Sequence, residues 1–304
     1  MRIAPFCLLA IACTDSGTSV VDTGFDGADV CGAPYVPFDA ANYESQLLRV
    51  GAYDQIVALR KSDTFSAADF VAIEELYSAA DLSLKVQGRT DDHSWASAVD
   101  IGAELDAAIM GAIVDGAAGI DIAIQGQIVD KTLQHFFTLS VYHEGRKSAD
   151  SANAIEDMQM GWDAGFGYMG MSNDGTTTTG IAKTLASRDE EFQTSTVDAG
   201  FNGLLAGRCA LAEADPAAAL VALEDVDRAL LQGMALSVVH EMDEYDEDPM
   251  IKGWEGQLFW NIVDDYVRAL DAAAADAIDA EFDKGVDALD ASVVRDTLAT
   301  VLGL

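Results

Sequence analysis

The chain has 304 residues, with 52 acidic against 17 basic side chains and a formal net charge of −35. This charge argues against a nucleic-acid partner, because binding to phosphates requires a basic face. Half of the residues are hydrophobic, which argues against disorder and allows a sizeable buried core. Five prolines and long Ala-, Asp- and Leu-rich stretches predict an all-α fold.

The first segment, residues 1–12, is a predicted lipoprotein signal peptide. Arg2 supplies a positive charge, and a short apolar run ends in Ala-Ile-Ala directly before Cys13. Small residues before a cysteine resemble the lipobox of bacterial lipoproteins, so Cys13 is the predicted lipidation site. Residues 13–34 are polar and Gly-rich, which predicts a flexible acidic tether. We therefore expect a bacterial cell-envelope protein, lipid-anchored to the outer membrane and facing the periplasm or the surface.

Two cysteines remain after this processing. Cys7 would leave with the signal peptide and Cys13 would carry lipid, so Cys31 and Cys209 form a candidate pair. In an exported protein such a pair is typical of a disulfide, which would join the end of the tether to the body. Two unpaired thiols are the alternative.

The body, residues 35–304, has helical periodicity and predicts one all-helical domain of eight to ten helices. The run Ser66-Ala-Ala-Asp69 resembles a helix start, and both Asp215-Pro216 and Asp248-Pro249 combine an N-cap with proline at the first helical position. Residues 175–180 predict a loop. No run of the body is long and apolar enough to predict a transmembrane helix.

An internal repeat is the most specific signal, over residues 129–170 and 226–262. Val129–Glu144 aligns without gaps on Val226–Glu241, and eight of the sixteen positions are identical. A second block follows each copy, Gly-Trp-Asp in the first and Gly-Trp-Glu in the second. Each copy predicts a helical hairpin, and two hairpins packed together would form a pseudo-repeated helical bundle.

The repeat also carries the candidate functional residues. An imidazole and a carboxylate on facing helices can ligate a metal ion, especially where two copies converge. The predicted metal ligands are His143, Glu144, Asp163, His240, Glu241 and Glu255, and the candidate cofactor-binding residues are Trp162 and Trp254. The alternative is structural: each histidine bonds a carboxylate of the next helix, and each tryptophan belongs to the core.

The nine residues Trp162-Asp-Ala-Gly-Phe-Gly-Tyr-Met-Gly170 resemble the Trp-Asp-Glu-Ala-Phe-Gly-Tyr-x-Gly block of an uncharacterised group of imelysin-like bacterial surface lipoproteins. Gln46–Arg49, followed by Tyr53, also resembles the opening segment of that group. The resemblance implies an all-α fold of two duplicated bundles and a connection with iron. Imelysins that act as peptidases carry Gly-x-His-x-x-Glu. This chain departs from that pattern at both His143 and His240, so peptidase activity is not expected.

The leading hypothesis is a surface-anchored helical lipoprotein that binds a metal ion, with iron as the candidate, or a small ligand between the two repeats. Its expected partners are the membrane, through the lipid anchor, and either a metal ion or an envelope protein. A structural or protein-interaction module without a ligand is the alternative. An imelysin-like metallopeptidase is the least favoured, and no catalytic residue is identified.

Overall fold

The computed structural model describes residues 33–96 and 101–304, and within these ranges the chain is all-α. The predicted signal peptide, Cys13 and Cys31 lie outside the described residues. Cys209 is buried on a helix and is disulfide-bonded. Its predicted pairing with Cys31 stays a prediction. None of the described helices has both the length and the apolar character that crossing a membrane requires.

The described part contains twelve α-helices, more than the eight to ten expected, because short helices such as α3 and α11 were not anticipated. In chain order they are α1 (Ala40–Arg60), α2 (Asp69–Ser78), α3 (Leu82–Gln87), α4 (Ile101–Ala117), α5 (Ile122–Ser148), α6 (Ile155–Met169), α7 (Gly180–Phe192), α8 (Thr196–Ala212), α9 (Pro216–Asp243), α10 (Pro249–Leu270), α11 (Ala272–Phe282) and α12 (Ala291–Leu302).

Both predicted Asp-Pro helix starts are confirmed. The Asp215 carboxylate accepts from the Ala218 N–H at the start of α9, and Asp248 accepts from the Ile251 N–H at the start of α10. An N-cap carboxylate satisfies a backbone donor that has no partner within the helix, and proline loses nothing at the next position. The loop predicted for residues 175–180 is also present, and α7 begins at its last residue.

The two long helices α5 and α9 form the centre of the molecule. Each is paired with the next helix along the chain, so α5–α6 and α9–α10 are the two predicted helical hairpins. Helix α5 contacts both α9 and α10, α8 covers α9, and α1 packs on α6. The equivalence of the two hairpins as a structural repeat stays a prediction.

The two repeated tryptophans have different environments. Trp162 is 1% exposed, and its Nε1–H donates to the Leu204 carbonyl at 2.8 Å. A Cβ atom at Gly207 would lie 1.9 Å from the Trp162 ring, so this glycine is what allows α8 to approach α6. Trp162 is therefore a core residue, and its predicted role in binding a cofactor is not supported. Trp254 is half-buried beside a surface groove.

Candidate functional site

The first three predicted metal ligands make separate contacts. His143 Nδ1 is hydrogen-bonded to the Asp92 carboxylate. Glu144 forms an ion pair with Arg89, whose Nη1 lies 3.3 Å from Glu144 Oε1. Both partners belong to the segment that follows α3, so these side chains attach that segment to α5.

Asp163 points in another direction, towards the beginning of the described chain. Its carboxylate accepts from the Tyr35 hydroxyl at 2.8 Å and from the Asp39 N–H at 2.7 Å. Burial raises the pKa of Asp163 to about 6, although these two hydrogen bonds favour the ionised form. The first repeat copy therefore does not assemble a shared ligand set, and the predicted convergence is not found.

In the second copy, His240 faces α7. Its Nδ1 lies 2.9 Å from Glu191 Oε1. Glu241 takes the position facing α10, where its Oε2 accepts from Lys252 Nζ at 3.0 Å. Neighbouring residues on a helix point about 100° apart, so a small rotation of α9 decides which of the two faces the hairpin partner.

The two copies use the repeated His-Glu pair in the same chemical way. His143 and His240 each bond a carboxylate of another segment, and Glu144 and Glu241 each pair with a cation. These contacts are structural in kind. The structural alternative expected each carboxylate to belong to the next helix, but Asp92 follows α3 and Glu191 lies on α7.

One part of the metal hypothesis keeps geometric support. Three residues of types that ligate metals (His, Cys, Asp or Glu) come together at one place in the described part of the chain. They are His240, Glu241 and Glu244, whose ligand atoms lie within 4.8 Å of one another. Lys252 Nζ, however, donates to both of these glutamates. Burial opposes the charged ammonium, but these hydrogen bonds raise its pKa, so it stays protonated. The ammonium neutralises the carboxylates that a metal would need, and the residues as arranged do not fit a resident ion such as iron.

This arrangement predicts the outcome of a metal titration. The wild-type protein should take up no stoichiometric Zn²⁺ in isothermal calorimetry, whereas Lys252→Met should gain at least tenfold in affinity because it frees two carboxylates. Lys85→Met, which removes an exposed lysine on α3, is the matched control. One equivalent of Zn²⁺ bound by the wild type and lost in His143→Ala/His240→Ala would instead restore the predicted metal site.

A cavity of about 740 Å³ lies beside this cluster and is enclosed by α1, α5, α7, α9 and α10. The α5 wall is a polar stripe of Gln127, Asp130, Lys131 and Gln134 at helical spacing, and each of these side chains is at least nine-tenths buried. Helix α5 belongs to the first predicted hairpin, and α9 and α10 form the second.

The charge of the cavity lining differs from that of the chain. Six basic and four acidic residues line it, although acidic residues outnumber basic ones threefold in the whole sequence. The basic residues are Arg60, Lys61, Lys131, Lys183, Arg188 and Lys252, and the acidic ones are Asp54, Asp130, Glu241 and Glu255. About a third of all basic side chains therefore meet at one cavity.

Several buried polar atoms of this lining have no hydrogen-bond partner in the described structure. They are Arg60 Nε, Arg188 Nε, Gln127 Oε1 and Gln134 Oε1, whereas Arg188 Nη1 has an ion-pair partner in Glu191 Oε2 at 2.9 Å. Buried polar atoms are rarely left unpaired in native proteins, and each specific case requires a physical explanation. Two donors and two acceptors around one cavity are the pattern that a bound polar molecule would satisfy.

Asp130 organises the deep end of this cavity. Its carboxylate lies 2.7 Å from Arg60 Nη2 and 3.3 Å from Lys131 Nζ, and it accepts from the Tyr53 hydroxyl at 2.7 Å. Burial opposes its charge, but Lys131 and Arg60 outweigh that effect and hold the pKa of Asp130 well below its usual range.

The repeat counterpart of Asp130 is Asp227, which anchors a second buried cluster. His93 lies between two carboxylates, with Nδ1 2.6 Å from Asp91 Oδ1 and Nε2 3.1 Å from Asp227 Oδ1. Its ring stacks on Tyr142, with the ring centres 3.7 Å apart. Burial disfavours the charged imidazolium, but the hydrogen bonds to Asp227 and Asp91 raise its pKa to about 9. His93 is thus a core histidine whose two ring nitrogens are both hydrogen-bonded.

The cavity was not identified from the sequence. The stripe on α5 had a usable signal, since four polar side chains at positions i, i+3, i+4 and i+7 share one helix face. Arg60, Lys61 and Arg188 had no such signal, because nothing in the order of residues places α1 and α7 opposite α5.

Comparisons with family models, curated proteins and solved structures give no match to this chain. No family is assigned. The function therefore has to be argued from the site.

Proposed function

We propose that this protein is a helical binding protein that holds a small polar molecule in the cavity between its two helical hairpins and helices α1 and α7. The observation that carries this proposal is the set of four unpaired buried polar atoms around one cavity. The proposal keeps the small-ligand form of the leading sequence hypothesis, and it moves the site from the repeated His-Glu pairs to the polar stripe of α5.

The free-energy cost of these unpaired atoms supports a ligand. A buried donor or acceptor without a partner costs about 1–3 kcal/mol, and a bound molecule with complementary groups would remove that cost. The cavity volume of about 740 Å³ lies in the range typical of small-molecule sites. Walls formed by five rigid helices also favour a preformed site, because little ordering is then required on binding.

The cellular setting of this proposal rests on the N-terminal sequence. The charged start, the apolar run and Cys13 support export followed by lipid anchoring at the cell envelope. The imelysin-like Trp162–Gly170 block supports the same setting. A binding protein anchored there would encounter its ligand in the periplasm or at the cell surface.

Blocking the cavity tests the proposal. Ser187 is an exposed lining residue on α7, so Ser187→Trp should obstruct the cavity without disturbing the core. Thermal unfolding would be followed with a panel of sugars, amino acids, organic acids and phosphates. A true ligand at a hundredfold excess over its Kd should raise the Tm of the wild type by about 5 °C and leave Ser187→Trp unchanged.

Ser151→Trp is the matched control, because Ser151 is an exposed serine in the loop after α5 and does not line the cavity. It should respond to the ligand as the wild type does. The proposal would be rejected if no panel member shifted the wild-type Tm, or if Ser187→Trp responded fully. That result would favour the structural or protein-interaction module.

A further inference from the structure

We infer that the ligand of this cavity is a hydroxylated small anion, a sugar-sized carboxylate or phosphate whose charge is held by Lys61 and Lys183 at the opening and whose hydroxyls bond Gln127 and Gln134. This inference rests on the proposed function, since it names the chemical class that the cavity would bind.

Two lysines of the cavity lining lack a carboxylate partner among the described residues. Lys61 and Lys183 are exposed lysines of the cavity lining, and no described carboxylate lies within 4.0 Å of either ammonium. Both ammonium groups are therefore available to pair with an anion at the opening of the cavity.

The acidic residues of the lining are already engaged. Asp130 is paired with Arg60 and Lys131, and Glu241 is paired with Lys252. Glu255 Oε1 lies 3.6 Å from Lys131 Nζ. Asp54 accepts from the Gly180 N–H at 3.0 Å, at the start of α7. These pairs also engage Arg60, Lys131 and Lys252, and Arg188 is paired with Glu191. Lys61 and Lys183 are therefore the charged lining groups that remain available to a ligand.

The electrostatics of Lys61 show the same excess of positive charge. Its pKa is lowered, first by burial and then by the nearby positive charges of Arg60, Lys131 and Lys183, although Asp130 opposes this effect. An anion among these side chains would relieve their mutual repulsion. The unpaired Arg60 Nε and Arg188 Nε add two donors suited to a carboxylate or a phosphate.

The two unpaired glutamine oxygens require a hydrogen-bond donor on the ligand. Gln134 Nε2 donates to Asp130 Oδ1 at 3.2 Å, and this contact fixes the orientation of the amide. Gln134 Oε1 is then an acceptor on a side chain only 2% exposed, with no donor in reach. Gln127 Oε1, two turns earlier on the same face of α5, also has no hydrogen-bond donor. A bare anion cannot donate a hydrogen bond to these oxygens, whereas a hydroxyl group can.

Calorimetric titration of the full-length protein with four probes separates these features. Gluconate and glucose 6-phosphate carry charge and hydroxyls, hexanoate carries charge alone, and glucose carries hydroxyls alone. We expect gluconate or glucose 6-phosphate to bind at least tenfold more tightly than both hexanoate and glucose. The tighter of the two anions identifies the charged group as carboxylate or phosphate.

Variants separate the contribution of the lysines to binding from that of the glutamines. Lys61→Gln/Lys183→Gln should weaken anion binding at least tenfold and reduce its salt dependence. Lys85→Gln/Lys147→Gln removes two positive charges away from the cavity and should bind normally. Gln127→Leu/Gln134→Leu should abolish the difference between gluconate and hexanoate while hexanoate affinity is kept.

Three results would overturn the inferred class. They are glucose or hexanoate binding as tightly as the hydroxylated anions, equal weakening by both lysine double variants, and no binding of any probe by the wild type. Each is distinguishable from failure of the proposed function. A ligand of another class that stabilises the wild type but not Ser187→Trp would leave that proposal standing.

Discussion

Replacing Asp130 by alanine should lower the free energy of unfolding by about 4 kcal/mol, the cost typical of breaking a buried ion pair from one side. The variant would leave Lys131, which is 7% exposed, and the half-buried Arg60 without the carboxylate that neutralises both. It would also remove the acceptor of the Tyr53 hydroxyl, which is itself buried. Urea-induced unfolding at pH 7 measures the loss.

Asp115→Ala is the matched control, because Asp115 is an exposed residue of α4 and makes no ion pair with a described residue. Its effect should stay within about 0.5 kcal/mol. The folded-state pKa of Asp130 is lowered, so its contribution is present above its unfolded value of about 3.9 and is lost as the pH falls through the lower folded value. A loss below about 1 kcal/mol for Asp130→Ala at pH 7 would contradict its role as the charge centre of the cavity.

Replacing His93 by glutamine should lower the free energy of unfolding by about 3 kcal/mol at neutral pH. The reason is that the pKa of His93 is raised to about 9 in the folded protein, against about 6.5 in the unfolded chain. Because the folded pKa is the higher one, this contribution is fully present below pH 6.5 and is lost as the pH rises through about 9. The difference in unfolding free energy between wild type and variant should therefore shrink between these two pH values. The groups facing the imidazolium are Asp91, Asp227, His135 and the stacked rings of Tyr142 and Trp95.

His135→Gln provides the control for this pH dependence. Burial lowers the pKa of His135 to about 4, so its imidazole is neutral throughout the range from pH 6.5 to 9. The difference between wild type and His135→Gln should then be flat over that range. Denaturant titrations at pH 6, 7.5, 9 and 10 would decide, and a difference for His93→Gln as large at pH 10 as at pH 6 would exclude the charged His93 cluster.

Much of the fold could be predicted because its signals are local. Aspartate followed by proline marked the starts of α9 and α10, since capping and the fixed proline φ act within one turn. Apolar spacing predicted the long helices, and the repeated blocks predicted both hairpins. The short helix α3 was missed because its six residues are too few to show a period.

The site was only partly predictable. The repeated His-Glu pairs were predicted to ligate a metal ion together, but their partners are Asp92, Arg89, Glu191 and Lys252 and not one another. Spacing within a helix cannot reveal which neighbour a side chain meets, because that depends on the rotation of the helix and on segments far away in sequence.

The sequence by itself determined an acidic all-α protein with two helical hairpins, because periodicity, capping and composition act over a few residues. Only the tertiary structure decided where the basic side chains meet. Arg60, Lys131, Arg188 and Lys252 belong to four different helices, and each is separated from the next by more than fifty residues. Packing brings them around one cavity and so makes a positively charged site in a chain of net charge −35. A net charge counts side chains without regard to position, whereas binding depends on the few that share one enclosed space.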